Sequence, residues 1–123
     1  MTGLSILLPW PPSTNTLWRA VRGRNILSEK YRAWRQAAGM ELMMQQPKKH
    51  LGPVAITIEL CSPDKRRWDI DNKTKATLDL LVEHGVIEDD SASILKELTV
   101  RIGEGFTGAW VGIKPVLKQE EKD

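Results

Sequence analysis

Val54-Ala55-Ile56-Thr57-Ile58-Glu59-Leu60-Cys61 reads as a β-strand: β-branched residues are frequent, polar side chains fall in partial alternation, and Ser62-Pro63-Asp64 closes the run. Beyond a polar stretch the period changes. Ala76, Leu80 and Leu81, or Leu78 and Val82, recur at helical spacing. Asp71 or Asn72 can cap this helix, which runs to about His84, and Gly85 can take the left-handed stop. A helix of that length can return the chain to the same end of the sheet.

Towards the amino terminus, Tyr31, Trp34, Ala38 and Leu42 mark an earlier helix, capped by Ser28, favoured by Glu29 at its positive end and stopped by Pro47. Arg32 and Arg35 fall on its other face. Ile6-Leu7-Leu8 reads as a short strand halted by Pro9-Trp10-Pro11-Pro12, and Asn15 to Leu27, long, basic and without a period, as a loop. Towards the carboxyl terminus, Ile94 to Ile102 reads as a strand and Gly103 and Gly105 as a turn region. Ala109-Trp110-Val111-Gly112-Ile113 reads as a last strand that pairs with its predecessor as a hairpin. The tail Lys118 to Asp123 is expected to fray. The order strand, helix, strand, helix, strand, strand predicts one α/β domain of α+β-like character over residues 1–123, with a mixed sheet and two main helices.

A chain of 123 residues with 41% hydrophobic and 28% charged residues supports one folded core and argues against a second domain or a disordered chain. Cys61 is the single cysteine, and His50 and His84, read as surface residues, show no zinc spacing; neither a disulfide nor a zinc centre is expected. There is no apolar run of about eighteen residues and no basic segment ahead of a hydrophobic stretch at the start. A cytoplasmic protein without a membrane partner is expected.

A net charge of +2 is too mild to signal nucleic-acid binding by itself. Its distribution says more. Arg19, Arg22, Arg24, Lys30, Arg32 and Arg35 face one acid, Glu29, in their stretch, and Lys65-Arg66-Arg67 adjoins a group of carboxylates. Trp18, among the arginines, can stack on an unpaired base or seal the edge of the core. Trp10, Trp34 and Trp110 are expected in the core or an interface between copies.

The carboxylates are Asp69, Asp71, Asp89 and Asp90. In an extended segment Asp69 and Asp71 would point the same way, with Ile70 on the opposite side. Asp89 or Asp90 would complete a site for a hard divalent ion such as Mg2+, which takes oxygen ligands and leaves positions for water and phosphate oxygens. Lys75, one turn beyond Asp71, can act as a point charge on a phosphate oxygen or pair with Asp71 or Asp79. Metal-assisted phosphodiester cleavage is the chemistry this grouping suits.

These residues resemble the RusA family of Holliday junction resolvases. The similarity runs through Pro63-Asp64, Arg66-Arg67, Asp69-Ile70-Asp71-Asn72, Lys75-Ala76, Asp79, Leu81, Gly85 and Asp89-Asp90. It extends to Leu8-Pro9-Trp10-Pro11-Pro12-Ser13, Asn15 and Arg22-Gly23-Arg24, and is loose beyond Asp90; Trp68 and Ile70 depart from the family pattern. The resemblance implies a homodimer that binds four-way DNA junctions and makes paired, symmetric nicks. It implies Mg2+, with Mn2+ as a substitute, at an aspartate cluster in each subunit. Asp69, Asp71 and Asp90 would then be the essential acids, Asp89 a supporting ligand and Lys75 the catalytic lysine. Asn15, Arg19, Arg22, Arg24, Lys65, Arg66, Arg67 and Asn72 would contact DNA, in a bacterial or phage-infected host.

Two other readings use the same residues. In a non-catalytic junction-binding module the acids are caps and the basic segment is a clamp. A metal-dependent nucleotide phosphohydrolase would use the carboxylates and lysine on a triphosphate, but lacks a phosphate-cradling glycine loop.

Overall fold

The computed structural model describes residues 4–116, so the tail from Lys118 to Asp123 lies outside the described residues. In chain order the elements are β1 (Leu4–Leu8), a 3-10 turn (Thr14–Thr16), β2 (Trp18–Val21), β3 (Arg24–Leu27) and α1 (Glu29–Gln45). There follow β4 (Val54–Cys61), a second 3-10 turn (Ile70–Asn72), α2 (Lys75–Glu83), β5 (Leu95–Ile102) and β6 (Gly108–Pro115).

β4 has neighbours on both sides, which accounts for its nearly continuous apolar sequence. It pairs antiparallel with β6 and parallel with β5, in a mixed four-stranded sheet of order β1-β6-β4-β5. Val54, Ile56, Ile58 and Leu60 point to the buried face, beside Ile6 and Leu8 of β1 and Ala109, Val111 and Ile113 of β6. Tyr31, Trp34, Ala38 and Leu42 of α1 and Ala76, Leu80 and Leu81 of α2 belong to the same core. Each fully buried Leu or Ile there contributes about 1.5–3 kcal/mol. The α+β class, the mixed sheet and the two main helices are as the sequence predicts, and among the described residues no helix is long and apolar enough to cross a membrane.

Three local expectations are corrected. The stretch from Asn15 to Leu27 contains the hairpin β2–β3, which closes through Arg22 (φ 51°) and Gly23 (φ 77°), the paired left-handed residues of a tight two-residue turn. β5 and β6 form no hairpin; β5 pairs with β4, and β6 lies between β1 and β4. Lys96, Glu97 and Arg101 suit β5 to an edge, whereas the alternating buried Ala109, Val111 and Ile113 need neighbours on both sides. His50 is buried rather than superficial, and its backbone N–H donates to Val86 O at 2.8 Å.

Candidate active site

The segment between β4 and α2 carries most of the chemistry. It opens with a tight local turn in which the Ser62 hydroxyl donates to Asp64 O and accepts from the Asp64 N–H. Asp64 Oδ1 accepts from the Arg66 backbone N–H at 3.0 Å, and Oδ2 accepts from Arg66 Nε at 3.2 Å and Nη2 at 2.9 Å. These hydrogen bonds from Arg66 hold the Asp64 carboxyl below its ordinary range. Trp68 packs edge-on against Trp10, with ring centroids 4.9 Å apart, and so anchors the segment to the core.

Asp69 is extended (φ −108°, ψ 134°), but Asp71 lies within the 3-10 turn. The alternation expected for an extended strand therefore does not govern the pair, and β4 ends well before them at Cys61. Both aspartates are exposed and make no ion pair among the described residues. The Asn72 N–H donates to Asp69 O at 3.1 Å, and the Thr14 hydroxyl donates to Asn72 O at 3.3 Å, tying the two 3-10 turns together. Asn15 follows Thr14 directly in the first of these turns. Neither Asp71 nor Asn72 caps α2; its cap position is Thr74, which makes no side-chain capping bond.

Lys75 is the first residue of α2 and meets Asp79 Oδ1 at 3.2 Å. A cation is unfavourable at the positive end of a helix, and lysine ahead of its acid is the weaker order for such a pair. Stability alone does not account for Lys75. Asp79 in turn lines a groove of about 290 Å³ with Asp90, Glu83, Tyr31, Arg35 and Trp18. Arg35 closes on Glu83, with Nε donating to Oε1 at 3.2 Å and Nη2 2.6 Å from Oε2. Burial, with Asp79 and Glu83 nearby, pushes the Tyr31 hydroxyl up against the opposing effect of Arg35.

Asp90, Asp79 and Glu83 thus line one groove, and Lys75 is joined to it through Asp79. Asp69 and Asp71 sit in the turn ahead of α2, and Asp89 is exposed beside Asp90. Among the described residues no three His, Cys, Asp or Glu side chains converge to hold a metal ion. The oxygen donors suit Mg2+ in type, but their placement in the single chain does not assemble a site.

The basic residues form two groups. Arg19, Arg22 and Arg24 are exposed on the β2–β3 hairpin, where Trp18, 54% exposed, lines the groove with Asp90 rather than sealing the core. Lys65, Arg66 and Arg67 are exposed on the connection from β4. Lys73 belongs with the second group and was absent from the residues singled out in the sequence. Its side chain turns inward, donates to Pro11 O at 3.3 Å and lies 4.9 Å from the centre of the Trp10 ring. Burial, reinforced by Lys30 and Arg66, pushes its ammonium pKa down. The spacing Lys73, Ala76, Leu80 continues the buried stripe of α2 backwards and is the signal that could have revealed it.

A small α+β domain with exposed aspartates ahead of a helix, an adjoining lysine and two groups of cations has the makings of a protein that handles a polyanion. The family model for Endodeoxyribonuclease RusA matches residues 9–114. The chain is 39% identical over 94 residues to crossover junction endodeoxyribonuclease RusA of Shigella sonnei and to that of Escherichia coli K12, covering 74% of this chain and 77% of each relative. The corresponding protein of Enterobacteria phage 82 is 39% identical over 92 residues, with the same coverage. The chain belongs to the RusA family of endodeoxyribonucleases.

Proposed function

We propose that this protein is a divalent-metal-dependent endodeoxyribonuclease that resolves four-way DNA junctions by paired, symmetric nicking as a homodimer. Besides family membership, the observation that carries this reading is the placement of exposed Asp69 and Asp71 in the turn directly ahead of α2, whose first residue is Lys75, on the segment that also carries exposed Arg66 and Arg67. Asp69, Asp71 and Asp90 are the essential acids in this reading, with Asp89 in support. Lys75 places its charge on the phosphate, and Asn15, Asn72 and the two arginine groups hold the strands. Bound Mg2+, or Mn2+ in its place, would polarise the phosphate and activate water. Because the carboxylates do not converge in the single chain, the proposal requires that DNA or a second subunit draw them together. Among the described residues the outer edge of β5 pairs with no strand, and Leu98 and Ile102 on it are exposed, which supports pairing of two copies.

The test is cleavage of a labelled four-way junction beside linear duplex of matching sequence, with Mg2+ or EDTA, using wild type and Asp71→Asn. Metal-dependent paired nicking of the junction, lost in Asp71→Asn while junction binding persists, is expected. A non-catalytic junction-binding module is the second reading, favoured by the absence of a convergent acidic triad among the described residues. A junction that is bound and never cut under any divalent ion selects that reading instead.

A further inference from the structure

A cavity of about 350 Å³ lies between the segment after β1 and the segment before α2, and its lining holds the cations Lys30, Arg66, Arg67 and Lys73 against one carboxylate, Asp64. Arg66 already neutralises Asp64, and Lys30, Arg67 and Lys73 make no ion pair among the described residues. Lys73 is 8% exposed, yet among the described residues the Pro11 carbonyl is the one hydrogen-bond acceptor it meets, beside the face of Trp10. An ammonium has three donors and costs free energy when buried without an anion. Methionine would fill much the same volume without that cost. The position makes chemical sense if an anion enters the cavity and meets the lysine.

We propose that this cavity is a phosphate-binding notch, in which Lys73 at the floor and Lys30 and Arg67 at the mouth take one backbone phosphodiester of bound DNA. The inference rests on the nuclease reading and adds to it the residue that sets the strand's position. Lys73 stands two residues after Asp71 and two before Lys75, so a phosphate seated on it lays the neighbouring link of the strand alongside both. The half-buried indole of Trp68 at the same cavity offers an apolar wall to the sugar. Lys73 is thus a positioning residue, separate from the carboxylates.

Binding of a four-way junction is measured in EDTA, where no cleavage occurs, across a series of chloride concentrations for wild type, Lys73→Met and Lys30→Gln. Thermal unfolding of each is recorded in parallel. Loss of one phosphate contact lowers the slope of log affinity against log salt by about 0.9 and weakens binding roughly tenfold. Lys73→Met is expected to show both changes while melting no lower than wild type, a combination that a merely structural lysine does not produce. Lys30→Gln, altered at an exposed position, is expected to reduce the slope in the same direction and decides the matter if Lys73→Met does not fold. Wild-type affinity and slope in the folded variants overturn the notch and leave the nuclease reading standing. Wild-type protein that binds no junction overturns both. If inorganic phosphate raises the melting temperature of wild type but not of Lys73→Met, while both folded variants keep wild-type junction affinity and slope, the cavity belongs to a free phosphate and the DNA assignment is overturned.

Discussion

Gln45, in the last turn of α1, pairs with both backbone groups of Leu7: its Nε2 donates to Leu7 O at 2.8 Å, and its Oε1 accepts from the Leu7 N–H at 2.9 Å. One side-chain amide thereby stands in for a neighbouring strand at the outer edge of β1. The opposite edge of the sheet, along β5, has no such cover among the described residues, so the two edges are chemically unlike.

Gln45→Ala should expose the Leu7 backbone groups. The expected cost is about 1 kcal/mol in urea unfolding, together with greater self-association in light scattering as a second edge opens. Unchanged stability and mass would show that the amide contributes nothing at that edge.

The proposed dimer should depend on β5. Ile102, 60% exposed at its end, is the residue to alter: Ile102→Glu should shift the mass in light scattering from dimer towards monomer and reduce paired nicking to single nicks. A wild-type protein that is monomeric at micromolar concentration contradicts the dimer outright.

Asp79→Asn should separate stability from catalysis. The pair with Lys75 is largely exposed, so its loss should cost only about 0.3 kcal/mol. Freed from Asp79, the lysine loses its fixed position, and single-turnover junction cleavage should slow by roughly 10- to 100-fold with affinity little changed. Cleavage at the wild-type rate would assign Lys75 to the surface alone.

Tyr31 supplies a pH signature. Its hydroxyl is held above the ordinary value of 10.0, chiefly by burial and then by Asp79. Above pH 10.0 the unfolded chain gives up this proton more readily than the folded one, so stability is lost as pH rises through the raised folded value. Urea unfolding of Tyr31→Phe should decline less steeply across that window than wild type, and the two should run parallel below it. Parallel curves throughout would mean that Tyr31 titrates alike in both states.

What could be read from the sequence was local. β4 and α1 carry their own periods, and Ser28 caps α1 as expected, its hydroxyl accepting from the Tyr31 N–H at 3.1 Å. The β2–β3 hairpin escaped because Arg22-Gly23 lacks the usual Asn-Gly signature and each strand has only four residues. The order of strands escaped because pairing β6 with β1 and β4 is a long-range choice made by burial of both its flanks. At the candidate site, residue types were legible but directions were not. A change from extended to 3-10 backbone between Asp69 and Asp71 altered their relation, and the inward turn of Lys73 came from its register with α2.

The place of β6 has a consequence for how the protein is made. Synthesised last of the described strands, it is also the one that joins β1 to β4, so a growing chain on the ribosome holds two unconnected parts of a sheet until Gly108 to Pro115 emerge. A nascent or prematurely terminated chain lacking that strand cannot close its core, and DNA meets a folded protein only after Gly108 to Pro115 have been made.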